Sequence, residues 1–358
     1  METKMRILAV TTLRDEGPFL LDWLAHHRAI GVTDVLAFTN DCRDGTEALA
    51  DALSPAGLVH VPQGAIRGRD GPTPQWRALA AAWDHPLRAA CDWALAIDTD
   101  EYVCQVGGSL PDLIAGMPGA QAIALPWRLF GNSGRFEAGQ GATPARFRRA
   151  APEAVAYPVL ASFFKTLFDL RGPFTGFGVH RPRQAGPPVF HDETGARRDD
   201  LAGRPGRILL WRGGRAAQGR RVQLNHYSVR SVEEFLVKSV RGLPNRTSKA
   251  IDLTYWVERN FNTVEDSSFD PHLPALEAET ARLRALPGVA EAEAASRAWH
   301  QAELGRILST EEGVRLAGRL AMAPSSVVPP PDQLGRLLAL TRATHGSKSG
   351  DGHARDPE

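Results

Sequence analysis

Cysteine and long apolar runs are what this chain has least of. Three cysteines stand among 358 residues, Cys42, Cys91 and Cys104, and none belongs to a CxxC pair. Neither a disulfide framework nor a thiolate zinc site is expected, and a reducing compartment is the simpler setting. No apolar run approaches the ~20 residues of a spanning helix. Near the start, Ile7 to Val10 are continuously apolar before Thr11, Thr12 and Arg14, too short a run for a signal sequence. The expectation is a cytoplasmic protein without a transmembrane segment. An excess of one charge is also missing: 42 Lys and Arg stand against 41 Asp and Glu, a net charge of +1. Bulk electrostatics therefore favour no nucleic acid partner. The motifs GxxxxGK[ST], GxGxxG and GxSxG do not occur, which removes the common phosphate loops and the hydrolase elbow.

What is present is alternation. "RILAVTT" (6–12) is a short apolar run, a buried strand. "GPFLLDWLAHHRAIG" then repeats apolar residues at helical spacing, with Pro18 suited to a first turn and Gly31 to a stop. "DVLAFTN" is strand-like, "DGTEALADALSPAG" helical, "LVHV" strand-like, "PTPQWRALAAAWDHPLRAA" mostly helical and "DWALAID" strand-like. Such β-α alternation predicts a parallel sheet with helices on both faces. Its ligand would lie beyond the carboxyl ends of the strands. From about Ala120 the pattern changes. "AQAIALPWRLFGNSG" is a strand entering a loop, and "SFFKTLF" and "GFGVHRP" read as short strands. A Gly-, Pro- and Arg-rich stretch follows, with six arginines and no acid between Arg204 and Arg221. "RVQLNHYSVRSVEEFLVKSVRG" gives a strand and then a helix, opened by a Ser231/Glu234 capping box. The remainder is mostly helical, interrupted at Pro329–Pro331. The expected organisation is a unit over 1–270 (halves 1–119 and 120–270), a helical extension over 271–344, and a disordered tail over 345–358.

Four constellations carry chemistry. Asp98 and Asp100 end an apolar run; on an extended chain, residues i and i+2 share a side. Two carboxylates plus substrate phosphates are a usual coordination for Mg2+ or Mn2+. A solvated turn is the plainer alternative. Tyr102 and Val103 occupy positions where a calcium loop needs an oxygen ligand and a glycine, so that loop is excluded. Second, "TTLRDEGP" offers Arg14 and helix-start amides to phosphate, or is only a capped helix whose Asp15 and Glu16 suit its dipole; Asp41 could bind a ribose or base, while Asp44 could be only a cap. Third, His226 lies where a strand meets a helix, a place for a metal ligand or for a satisfied boundary histidine; His180 is its rival. Fourth, Lys238 and Arg241 share a helix face, and Lys165 sits inside an apolar run, where it must snorkel or pair. Lys238 and Arg241 could meet phosphate, with a solvated face as the plainer alternative, and Lys165 a phosphate or an acceptor carboxylate. "WRLFGNSG" places Trp127 and Asn132 in a loop suited to sugar faces and hydroxyls.

"TTLRDEGPFLLDWLAHHRAIGVTDVLAFTNDCRDGT", "LAIDTDEYV", "LPWRLFGNSG", "GVHRP" and "LNHYSVRSVEEFLVKSVRG", in this order from about Arg6 to Asp266, together resemble bacterial glycosyltransferase family 2-like proteins of the DxDEF branch, similar to family 92. Tyr102 stands where that motif has Phe. The resemblance implies a GT-A fold: a Rossmann-like, mostly parallel α/β sheet. It implies a nucleotide-sugar donor, a glycan or small-molecule acceptor, and a role in surface polysaccharide synthesis, leaving peripheral membrane contact open. It further implies Mn2+ or Mg2+ on Asp98 and Asp100, with His226 as third ligand by analogy. Glu101 would support these acids from behind or contact the donor sugar, and Thr12, Arg14, Glu16 and Asp41 would contact the nucleotide. An inverting reaction would need a carboxylate base, for which Glu137 and Asp192 are the candidates. A catalytically silent nucleotide- or sugar-binding protein on the same scaffold is the alternative; a nucleotidyltransferase would bring a Gly-rich basic loop that "TTLRDEGP" does not provide.

Overall fold

The computed structural model describes residues 5–64, 71–211, 216–242 and 251–346. Its first part is β1 (Ile7–Leu13), α1 (Gly17–Ala29), β2 (Asp34–Thr39), α2 (Thr46–Ala52), β3 (Leu58–Pro62), α3 (Pro74–Asp84), α4 (Pro86–Ala89) and β4 (Trp93–Ala96). The strands lie in the order β3-β2-β1-β4 and all pair in parallel. Period-2 alternation explains the layers. Ile7, Ala9, Val35, Ala37, Trp93 and Leu95 join one core, while Leu8, Val10, Leu36, Phe38, Ala94 and Ala96 join the other. Helices α1 and α2 cover the first face through Leu20, Leu24, Leu49 and Ala50, and α3 covers the second through Ala78, Leu79 and Ala82. A sheet covered on both faces needs apolar runs rather than strict polar alternation, which is the pattern of β1.

The chain continues with β5 (Glu101–Gln105), α5 (Leu110–Ala115), β6 (Ala122–Leu129), α6 (Thr143–Arg146), β7 (Arg149–Ala150), β8 (Phe164–Asp169), β9 (Phe174–Gly176), β10 (Arg183–Gln184), β11 (Phe190–His191), α7 (Asp199–Ala202) and β12 (Val222–His226). Among the described residues these extend the sheet to nine strands, β3-β2-β1-β4-β8-β6-β12-β5, with β11 on β6. Strand β8 is antiparallel to both β4 and β6, and β12 is antiparallel to β5. The result is an α/β protein with a mixed, mostly parallel sheet. "GFGVHRP" is not a strand but a tight bend between β9 and β10. A Cβ on Gly178 would stand 2.1 Å from the Arg181 carbonyl oxygen, so the bend closes on a residue without a side chain.

Last come α8 (Val232–Arg241), α9 (Leu253–Val257), β13 (Val264–Glu265), α10 (Leu273–Arg284), α11 (Val289–Leu308), α12 (Glu311–Met322) and α13 (Pro331–Gly346). The helical C-terminal region is continuous with the rest of the molecule: Leu276, Leu283 and Val289 lie in the same core as β1 and α1. Part of the basic stretch, 212–215, and the tail from 347 onward lie outside the described residues.

Candidate functional site

Asp98 and Asp100 do not sit on an extended strand end. They flank a tight turn between β4 and β5, closed by Glu101 N donating to Asp98 O at 3.0 Å. The turn sends the two carboxylates to different partners. Asp98 Oδ2 lies 2.9 Å from Lys165 Nζ on β8, and its Oδ1 accepts from Gln75 Nε2 at 3.1 Å. Asp100 Oδ2 accepts from Lys238 Nζ on α8 at 2.8 Å, and its Oδ1 is 3.5 Å from His226 Nε2. Lys165 and Lys238 are both buried, so neither belongs to a solvated face. Each reaches a carboxylate, as a buried ammonium must.

Glu101 is fully buried between them. Trp127 Nε1 donates to its Oε1 at 2.7 Å, Asp98 N donates to its Oε2 at 2.8 Å, and Lys165 Nζ is 3.5 Å from Oε2. Burial pushes this carboxyl well above the usual range; Lys165 opposes the shift, and the neighbouring Asp98 and Asp100 add to it. For Asp100, burial acts upward as well, but Lys238 and then His226 outweigh it and hold the group well below the usual range. His226 is lowered by burial against the pull of Asp100. Its ring packs on Trp127 with centroids 4.2 Å apart.

A second charged layer adjoins the first. Arg241, one turn beyond Lys238, is 2.5 Å from Glu16 Oε1 and donates to the carbonyls of Arg14 and Asp15 at 2.6 and 3.0 Å. Arg230 is 3.6 Å from Glu16 Oε2 and donates to Thr99 O at 3.2 Å. The β1–α1 loop is thus tied to α8 and to the acidic turn. Asp15 and Asp41 both take left-handed backbone, φ 50° and 49°, a conformation that Asp tolerates better than most residues.

The other sequence candidates fall in four places. Trp127 and His180 line the acidic turn's flank, with rings 5.4 Å apart. Asn132 is buried in an amide cluster: its N–H donates to Asn260 Oδ1 at 2.8 Å, and Asn262 Nδ2 donates to its Oδ1 at 2.9 Å. Glu137 is exposed on the loop before α6. Asp192 is buried; its Oδ1 accepts from Thr194 and Ala196, and its Oδ2 lies 3.4 Å from Arg198. Gln75, Ser228 and Arg230 also reach the site, and no motif in the sequence singles them out. Gln75 sits in the first turn of a Pro-started helix, and Ser228 and Arg230 lie just before the Ser231 capping box, so proximity to a helix start is the one signal the sequence offers for them.

Among the described residues, several buried side-chain atoms at this rim have no hydrogen-bond partner: Thr11 Oγ1, Thr12 Oγ1, Asn40 Oδ1, Gln75 Oε1, His226 Nδ1 and Ser228 Oγ. They come from the carboxyl ends of β1, β2 and β12 and the start of α3. No group of three or more His, Cys, Asp or Glu side chains among the described residues is arranged to hold a metal ion. The Asp98, Asp100 and His226 set is therefore not a closed three-ligand cage. The Asp98 side chain is 32% exposed, and a partly open carboxylate suits a hard cation that takes its other ligands from phosphate and water.

No protein-family model matches the chain, and no curated protein matches it. Among solved structures, it is similar to HddC from Yersinia pseudotuberculosis, with 12% identity and a TM-score of 0.23 over 36% of this chain and 60% of that one. It is also similar to a mycobacterial protein, with 15% identity and a TM-score of 0.27 over 62% of this chain and 65% of that one. The chain spans less than two thirds of the length of each, and likeness at this level assigns no activity. No described helix is long and apolar enough to cross a membrane.

Proposed function

We propose that this chain transfers a glycosyl group from a nucleotide-sugar donor to an acceptor hydroxyl, on a GT-A-type scaffold. The observation that carries the reading is the gathering of unpartnered buried polar atoms with paired charges at one sheet rim. Buried polar groups are normally hydrogen-bonded, and in open α/β sheets this rim is where ligands bind. A nucleoside diphosphate offers hydroxyls, base edges and anionic oxygens that could partner such groups.

In the reaction, the bond from the anomeric carbon to the diphosphate oxygen breaks as the acceptor oxygen attacks. The acceptor's proton passes to a base, for which Glu137 and Asp192 are the candidates, and the diphosphate leaves with added negative charge. Lys165 and Lys238, fixed by Asp98 and Asp100, would stabilise that charge by preorganised electrostatics. Asp98 and Asp100 would hold Mn2+ or Mg2+, which when bound neutralises the leaving diphosphate. Thr12, Arg14 and Asp41 would contact the nucleotide, and Glu16 would position Arg241 and Arg230.

The test is a transfer and hydrolysis assay across nucleotide sugars, with and without Mn2+, for the wild type and Asp100→Ala. Activity that survives both metal removal and the substitution would sink the assignment of Asp100. A second reading, a silent nucleotide- or sugar-binding protein, is favoured by the lysine pairing of both acids. Tight nucleoside diphosphate binding by calorimetry, with no turnover over a donor and acceptor panel, would establish it.

A further inference from the structure

Beside the acidic turn lies a cavity of about 290 Å3 with an unusual charge balance. Its wall contains Trp76, His180, Arg181, Arg183 and Gln184, with two guanidinium groups and no carboxylate among the described residues. Two wall residues connect it to the site already described. Trp76 follows Gln75, whose amide holds Asp98. His180 packs against Trp127, whose indole N–H holds Glu101.

Arg181 is the informative residue. It is 6% exposed. Its guanidinium donates to the carbonyls of Leu201, Arg204 and Arg207 and to Gln184 Oε1 at 2.9–3.1 Å. Every acceptor is neutral. Among the described residues no carboxylate pairs with it, and its Nε has no partner. Burial pushes the guanidinium down to about 10, with Arg207 adding to the shift, so it remains a cation at neutral pH. Buried charges are ordinarily paired. Arg183 is exposed, with its guanidinium 5.6 Å from the centre of the Trp76 ring. The cavity therefore offers an aromatic face, a fixed buried cation and a second, exposed cation. A pyranose has an apolar face for an indole, the exposed Arg183 guanidinium matches carboxylate or phosphate geometry, and Arg181, whose terminal N–H groups are taken by those four acceptors, contributes positive charge.

We propose that this cavity is the acceptor subsite for a sugar bearing an anionic group, a carboxylate or a phosphate, seated on Trp76 and facing Arg181 and Arg183. The proposal rests on the glycosyl-transfer reading of the neighbouring rim, and it names the acceptor class which that reading left open. No described acid within the cavity wall competes for the anion.

Calorimetry with glucuronic acid, glucose 6-phosphate and glucose, on the wild type, Arg183→Glu and Arg181→Gln, tests it. Arg183 is exposed and makes no ion pair among the described residues, so Arg183→Glu keeps the test meaningful if Arg181→Gln fails to fold. At least one charged sugar should bind about tenfold or more tighter than glucose, and Arg183→Glu should remove that preference, while nucleoside diphosphate affinity stays within about twofold. Binding of glucuronic acid alone identifies a carboxylate acceptor, and binding of glucose 6-phosphate alone a phosphorylated one; both support the subsite. Equal affinity for glucose, no binding of any of the three sugars, or an unchanged preference in Arg183→Glu overturns it. So does loss of nucleoside diphosphate binding in Arg183→Glu, which would place the donor here. The two readings fail separately: charged-sugar binding without turnover of any donor defeats only the transferase reading, and transfer to uncharged acceptors that Arg183→Glu leaves intact defeats only the subsite.

Discussion

Lys238 and Asp100 form the buried pair that joins α8 to the acidic turn, 2.8 Å apart. Removing one partner leaves a buried charge uncompensated, which typically costs about 3–5 kcal/mol. Lys238→Met should therefore destabilise the protein by roughly that amount in urea melts. Adding Asp100→Asn should recover part of the loss, and a double-mutant cycle reads the coupling. His26 and His27 provide a separate residue-scale prediction. Both are buried in α1 and bonded to Val103 O and Trp23 O. Burial lowers His27 to about 4 and His26 well below its ordinary 6.5. Their unfolded forms thus bind protons at higher pH than their folded forms. Their contribution is full above about pH 6.5 and is lost as the pH falls toward 4, on the order of 3 kcal/mol for His27 alone. Chemical denaturation at stepped pH should show stability falling through that window, and a flat profile would contradict it. The pairing need of Lys165 was legible in the sequence as a cation in an apolar run. Its partner was not, because Asp98 is 67 residues away.

At the scale of elements, α8 and α11 hold the rim from behind. The Ser231/Glu234 capping box that the sequence shows is formed, with Ser231 Oγ accepting from Glu234 N. Ser231→Ala should cost about 1 kcal/mol and loosen Lys238 and Arg241 on the same helix, visible as weaker nucleoside diphosphate binding. Helix α11 packs against α8, α1 and α2. Its Ser296 and His300 contact Asp44 Oδ2 at 3.0 and 2.9 Å, and the same carboxylate accepts from Gly17 N at 3.0 Å to cap α1. The approach is close: a Cβ on Gly17 would meet Ser296 Oγ at 2.1 Å. Gly17→Ala should therefore destabilise by about 1–3 kcal/mol, and Ser296→Gly added to it should restore much of the loss. No restoration would mean that the strain lies elsewhere. Nothing in "TTLRDEGP" announces this contact, since Gly17 reads as an ordinary helix start.

At the scale of the molecule, α10 and the start of α11 are part of the main core. Leu276, Leu283 and Val289 are at most 1% exposed within it. A chain ending at residue 270 would expose the face of α1 that α10 covers. Differential scanning calorimetry should find no cooperative transition for that truncated chain, whereas an independent domain over 1–270 would melt with a sharp one.

What the sequence determined by itself was local and periodic. Period-2 and helical spacing placed the parallel half of the sheet, and the capping box placed α8. The DxD acids were located at the end of an apolar run. Tertiary structure decided the rest, because it depends on contacts between distant residues. It made the acids flank a turn rather than share a strand side, gave each its own lysine, and brought β8 in antiparallel between β4 and β6. It also left Arg181 as a buried cation with no acid partner among the described residues. Spacing can state which residues must be paired or covered; only the packed chain brings the partner within reach.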